Sequence, residues 1–244
     1  MNAYLIVLIG YLGFTVGPAR VEKTVLVPDA FTDVFEVQNF TADSLRIRVE
    51  FEDYGIDVWG EVTFHSPGYF ANSLAPVAVI NPEEFVIPPQ SMERLRVTFN
   101  LPREADVPEY YSMLIFKSQP IPTQYSSAIS VAGEIGVPIY YSISRYAVAA
   151  ISFDSLFERK DSLEVVLSNT GNVHARVKGE ILIRDNSGRT VQQDSLAEFV
   201  VMPGKNRRFK IAIDRSIGEG THVARVIFDY GGIELLIGER KLVR

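Results

Sequence analysis

The sequence predicts an all-β protein: two tandem antiparallel β-sandwiches behind an N-terminal hydrophobic, signal-like segment. Three observations predict it. Beyond residue 20 nearly every patterned stretch alternates apolar and polar residues with period two, the spacing that sends successive side chains to opposite faces of a strand. Turn formers punctuate these runs, as in Asn169-Thr-Gly171-Asn172, Asp185-Asn186-Ser-Gly188 and Pro203-Gly204. An early stretch, VQNFTADSLRIRVEFED, is echoed past the middle of the chain by LSNTGNVHARVKGEILIRD.

Taken in order, the first nineteen residues, MNAYLIVLIGYLGFTVGPA, carry no charge. The apolar run from Ala3 to Val16 has the length of a signal-peptide core and falls short of the roughly 20 residues that span a bilayer. Gly17 and Ala19 are the small residues around a cleavage point after Ala19. No Lys or Arg precedes the run, so an uncleaved anchor and a buried first strand are the alternatives. Residues 1–19 are expected to direct export, to the periplasm or to the cell envelope or exterior. Membrane contact would come only through this segment, if it is uncleaved.

Residues 20–144 and 145–244 are expected to form one sandwich each. In SLRIRVEFED, Leu45, Ile47, Val49 and Phe51 face one way while Arg46, Arg48, Glu50 and Glu52 face the other, the pattern of a half-buried antiparallel strand. RLRVTFNL repeats it with Leu95, Val97, Phe99 and Leu101 inward, and SLEVVLSN with Leu163, Val165 and Leu167. Asn39 with its following strand corresponds to Asn169 with its own; IPPQSMERLRVTFNLP corresponds to VMPGKNRRFKIAID; PEYYSMLIFK corresponds to EGTHVARVIFDY. The repeat unit has immunoglobulin-like size, and the junction falls near SISRYAVAA, around Ser144. A single large barrel is the alternative architecture. The first half alone carries a long connection, Tyr54 to Glu83, with the sole Trp, Trp59, and with Phe64, Tyr69 and Phe70. Trp59, Tyr69 and Phe70 are candidates for a recognition loop, since long connections in compact domains often carry function.

Composition excludes several functions. With 24 basic against 30 acidic residues and a net charge of -6, no cationic surplus exists to neutralise a phosphate backbone. The absence of cysteine removes disulfides, thiolate nucleophiles and zinc–thiolate sites. The three histidines, His65, His174 and His222, have no second ligand at metal spacing, and no G-x-S-x-G, H-E-x-x-H or P-loop motif occurs. Neither a catalytic constellation, a metal site nor a cofactor is expected, and the protein is read as a non-enzyme. NFT at Asn39 formally matches a glycosylation sequon.

What remains is binding through a strand. AISVAGEIGVPIYYSIS keeps Ile129, Val131, Ile135, Val137, Ile139 and Tyr141 on one face, a longer apolar face than one sandwich needs in its last strand. Pro138 cannot donate to a ladder and marks an edge or an end. Strand addition to a partner is one use of such an edge; internal pairing within the domain is the other reading.

At these residues the chain resembles the periplasmic pilus-assembly chaperones of the PapD-like fold. The features that carry the likeness are two immunoglobulin-like domains after an export signal, the Pro-led VIPPQSMERLRVTFNLP, then PEYYSMLIFKS and a long alternating last strand in the first domain. The resemblance implies a protein partner, a pilin-like or other envelope polypeptide, to which Ile129, Val131, Ile135, Val137 and Ile139 would be lent. It also implies a cation pair clamping the partner's terminal carboxylate, and Arg20 or Lys23 could supply one member. For the other, no basic residue stands between Lys117 and Arg145, and the middle of the candidate strand offers Glu134, which repels a carboxylate. A weaker likeness is to Gram-positive cell-wall binding proteins with paired sandwich domains. The alternative function is a structural or adhesive surface module.

Overall fold

A computed structural model describes residues 13–26, 30–102, 107–121 and 132–243. The chain divides into two compact units, the first of residues 1–54 with 64–146 and the second of 55–63 with 147–244. Among the described residues all regular structure is strand, apart from one 3-10 turn at Ala75–Val77.

The first unit opens with β1 (Phe14–Gly17) and β2 (Val21–Val25), which lie in different sheets with a cis Gly17–Pro18 bond between them. β3 (Ala30–Asn39) and β4 (Leu45–Ile56) follow, with the short β5 (Val62–His65), β6 (Ala78–Asn81) and β7 (Glu84–Ile87), then β8 (Met92–Asn100), β9 (Glu109–Pro120) and β10 (Gly133–Ile143). One sheet has the order β1-β3-β8-β6; the other runs β2-β10-β9-β4-β5, with β7 also on β4. The inward residues read from the alternation, Leu45, Ile47, Val49 and Phe51 together with Leu95, Val97, Phe99 and Leu101, all lie in the buried core between the sheets. Burial of such faces, at roughly 25 cal/mol per Å² of apolar surface, holds a chain without disulfides together.

The overlap of β1 with the export segment read over residues 1–19 is a finding of the structure. Residues 1–12 lie outside the described residues, but Phe14–Gly17 pairs with β3 and Phe14 is fully buried in the core. An uncharged apolar run looks the same in sequence whether a signal receptor or a sandwich covers it.

The second unit repeats the construction with β11 (Ile151–Arg159), β12 (Ser162–Asn169), β13 (Ala175–Asp185), β14 (Thr190–Val201), β15 (Asn206–Ala212), β16 (Thr221–Asp229) and β17 (Leu236–Val243). Its sheets run β11-β12-β15 and β14-β13-β16-β17 around a core that includes Leu163, Val165, Leu167, Ile181 and Phe228.

The repeated asparagine has the same task in both units. Asn39 Nδ2 donates to the carbonyls of Asp43, Ile87 and Pro88 at 2.8–3.1 Å, and its Oδ1 accepts from Thr41 N–H at 2.8 Å. Asn169 Nδ2 donates to Val173 and Val201 at 2.9 and 2.8 Å, and its Oδ1 accepts from Gly171 N–H at 2.9 Å. Each side chain thereby satisfies backbone groups that a turn leaves unpaired inside the protein. The sequon match is therefore structural: the Asn39 amide is buried and fully engaged, with no access for a glycan.

Candidate functional site

The site is built on β10, whose register with β9 runs without interruption from Gly133↔Ser118 to Ser142↔Glu109. On its other flank β2 pairs in parallel only with Ile139–Ile143. The first half of the strand, residues 133–138, therefore has a neighbour on one side only among the described residues.

Backbone polarity along this edge follows from three hydrogen bonds. Gly133 N–H donates to Ser118 Oγ at 3.1 Å and Ile143 N–H to Pro108 O at 2.8 Å, so odd-numbered amides face β9. Ser144 N–H donates to Val25 O at 2.9 Å, so even-numbered amides face the β2 side. Because amides alternate along a strand, the N–H groups of Glu134 and Gly136 point out of the sheet at the open flank. Pro138 is the next even position and has no N–H to leave unpaired, which is where a proline costs a ladder nothing. The donor row stops there, one residue before β2 takes over the edge at Ile139.

The side chains of the described candidates pack inward. Val137 and Ile139 are fully buried in the unit's own core, with Tyr141 and Ile143 beyond them. Ile135 is half-buried and packs against the same core. Val137 and Ile139 thus belong to the sandwich's own core, and what the open half of the strand presents at its flank, among the described residues, is backbone. Alternation alone cannot tell a face covered by the chain's own second sheet from one covered by a partner. Ile129 and Val131 lie outside the described residues.

Of the two expected carboxylate contacts, Lys23 is occupied internally. Lys23, opposite Tyr141 in the β2–β10 register, has its ammonium on Asp33 Oδ1, and the Tyr141 hydroxyl donates to Asp33 Oδ2. Asp33 is buried, so the pair of donors compensates a carboxylate that burial would otherwise penalise. Burial, and then the bond to Asp33, pushes the Tyr141 hydroxyl pKa up. Arg20 Nε lies 3.9 Å from Glu22 Oε1. Asp33 escaped the sequence reading, although its signal was present: in TDVFEV it shares the inward parity of Phe35 and Val37, and a charge on a core face requires partners.

The aromatic candidates separate. Tyr69 and Phe70 belong to the first unit and Trp59 to the second. Phe70 lies over Tyr111 with ring centroids 6.3 Å apart, whereas Tyr69 is 61% exposed and stacks on His65 at 4.3 Å. Trp59 lies beneath the Arg208 guanidinium and Lys210 ammonium, 5.5 and 5.8 Å from its ring centre. On the outer side of the β10 sheet, Tyr54, Tyr111 and Tyr140 form a row, and the Tyr54 hydroxyl donates to that of Tyr140. Burial, then the charges of Asp53 and Glu109, pushes Tyr111 up to about 12. A cavity of about 600 Å³, lined by Glu50, Glu52, Phe64, His65 and Ile80 among others, lies beyond β9 from β10.

No protein-family model matches the chain. No curated protein matches it either. Solved structures do. The class 5 fimbriae chaperone CfaA is similar with a TM-score of 0.53 at 16% identity, over 93% of this chain and 98% of that one. A chain of the CsuC–CsuE chaperone–tip adhesion subunit pre-assembly complex, from the archaic chaperone-usher Csu pili of Acinetobacter baumannii, gives 0.51 at 15% identity, over 93% and 97%. A chain of the Salmonella enterica SafA pilin complex with the SafB chaperone gives 0.50 at 14%, over 95% and 96%. At such identities the likeness is one of architecture. The chain has the two-domain immunoglobulin-like fold of the pilus-assembly chaperones.

Proposed function

We propose that this protein is an exported, chaperone-like binding protein that holds an envelope or pilus-type polypeptide by adding one of its strands to the open half of β10. The observation that carries the reading is the outward row at residues 134–138: two backbone donors at Glu134 and Gly136, ended by Pro138 where β2 begins. An unpaired strand edge is a template for another chain, and main-chain hydrogen bonds supply the affinity in strand addition. Two of the similar structures are of chaperones in complex with a tip subunit or a pilin, which favours a polypeptide ligand over a small substrate and a binding role over catalysis.

The partner would be held without a clamp on its terminal carboxylate. Lys23 already neutralises Asp33, Arg20 lies near Glu22, and Glu134 stands on the open strand itself. In this respect the reading departs from the family the sequence resembles.

The test is capture from an envelope extract by the full chain and by Gly136→Pro, which deletes one outward donor and leaves the β9-facing amides intact. The polypeptide retained by the natural protein is expected to be lost by the variant, while thermal unfolding stays within about 1 kcal/mol of the parent. Equal retention by both proteins would contradict strand addition at this edge.

A further inference from the structure

The outer face of the open edge carries a charge that the described residues leave nearly uncompensated. Across the sheet, Arg48, Lys117 and Glu134 lie in one row, Arg48↔Lys117 on β4 and β9 and Lys117↔Glu134 on β9 and β10. Lys117 is committed to the β4 side, with its ammonium 2.6 Å from Glu50 and 3.2 Å from Glu52 but 3.9 Å from Glu134. The Glu134 side chain is 65% exposed. Among the described residues no strand stands beyond Glu134 in this row, which is the place an added strand would take.

Two residues along the same face stands Gly136, also exposed. A Cβ built there would lie 3.0 Å from Met113 Sδ and 3.3 Å from Ile115 Cδ1, so these two apolar side chains lean over the glycine from β9. The outer surface beside the edge is therefore acidic at one position and apolar at the next.

We infer that the added strand carries a Lys or Arg opposite Glu134 and a bulky apolar residue two positions away, opposite Gly136, so that Glu134 selects which segment of a partner is held. The inference rests on the strand-addition reading and deepens it. Directly opposite charges on neighbouring strands attract, like charges repel, and the pair sits at a solvent-exposed position where its effect is modest and salt-dependent. A cross-strand pair of this kind changes affinity by at most about fivefold. That is enough to bias a choice among segments whose backbone hydrogen bonds are the same.

The experiment is selection of random nonapeptides displayed on phage against the full-length protein, in parallel with Glu134→Lys and Glu134→Gln. The natural protein is expected to enrich extended, alternating apolar peptides with Lys or Arg at one fixed position, about three- to fivefold over Asp or Glu there. Glu134→Lys should reverse the preference to Asp or Glu, and Glu134→Gln should abolish it. Glu134 is exposed and makes no contact with the core, so both variants fold, as unchanged thermal unfolding will verify. Alternating peptides enriched by all three proteins without charge preference would overturn the role of Glu134 and leave strand addition standing. Enrichment of no extended peptide by any of them would overturn both.

Discussion

The two halves of β10 share one strand, one neighbour in β9 and one core beneath them, and they differ in what lies on the remaining flank. From Ile139 onward β2 closes the edge, Tyr141 reaches Asp33, and the buried Tyr140 joins the tyrosine row. From Gly133 to Pro138 that flank is open among the described residues, and the strand carries three small or ring-closed residues, Gly133, Gly136 and Pro138, with an exposed Glu134. The lesson is a division of labour within one strand: the closed half fastens β10 into the sandwich by side chains, and the open half presents backbone. An open edge is an aggregation hazard when it is long, flat and apolar. Here it is short, ends at a proline and bears a charge, which are the devices that restrict what can pair with it.

Three substitutions, in falling order of expected effect on stability, and one titration sharpen this contrast. Val137→Asp sets an unpaired carboxylate in the core and is expected to cost more than about 3 kcal/mol, enough to unfold the first unit in chemical denaturation. Tyr141→Phe, in the closed half, removes one donor from buried Asp33 while leaving Lys23 in place. A loss of about 1–3 kcal/mol is expected in the same measurement.

Raising the pH acts on the same half. Tyr54, Tyr111 and Tyr141 all have pKa values raised in the folded protein, chiefly by burial. Their neutrality therefore costs nothing below the unfolded value near 10, and stability falls as pH rises above it, where only the unfolded chain ionises. The expected slope is about 1.4 kcal/mol per pH unit for each tyrosine still neutral in the fold, continuing to about pH 12 for Tyr111. Tyr141→Phe should flatten the slope by one such increment, as read from urea unfolding at a series of alkaline pH values.

Glu134→Gln, in the open half, should change stability by no more than about 0.5 kcal/mol, since surface substitutions without buried partners rarely do more. A Glu134→Gln effect as large as that of Tyr141→Phe would break the division between the halves.

Much of this molecule was legible in its sequence, for a physical reason. Period-two alternation reports burial directly, so Leu45 to Phe51 and Leu95 to Leu101 could be placed on the core face, and the paired asparagines 39 and 169 announced the repeat before any coordinates. The candidate site was legible only in part. Alternation marked Ile135, Val137 and Ile139 as apolar along one face, yet whether that face is covered from within depends on the opposite sheet, which leaves no trace in the strand's own residues. Pro138 did signal an edge, and the hydrogen-bond polarity explains why it can stand there. Asp33 could be seen to sit at an inward position, but its bonds to Lys23 and Tyr141 bring together β2, β3 and β10, and such convergence needs the fold. Where the expected export segment ends was not legible, because Phe14 and Val16 satisfy equally well the hydropathy of a signal core and the alternation of β1.

The central claim is that β10 is open over its first half and closed over its second. Residue-resolved amide hydrogen exchange of the free protein tests it most directly. The claim predicts that Glu134 and Gly136 exchange orders of magnitude faster than Tyr140 and Ser142, their even-numbered counterparts beside β2, while Ile135 and Val137 stay protected by β9. Protection of Glu134 and Gly136 equal to that of Tyr140 and Ser142 would contradict it.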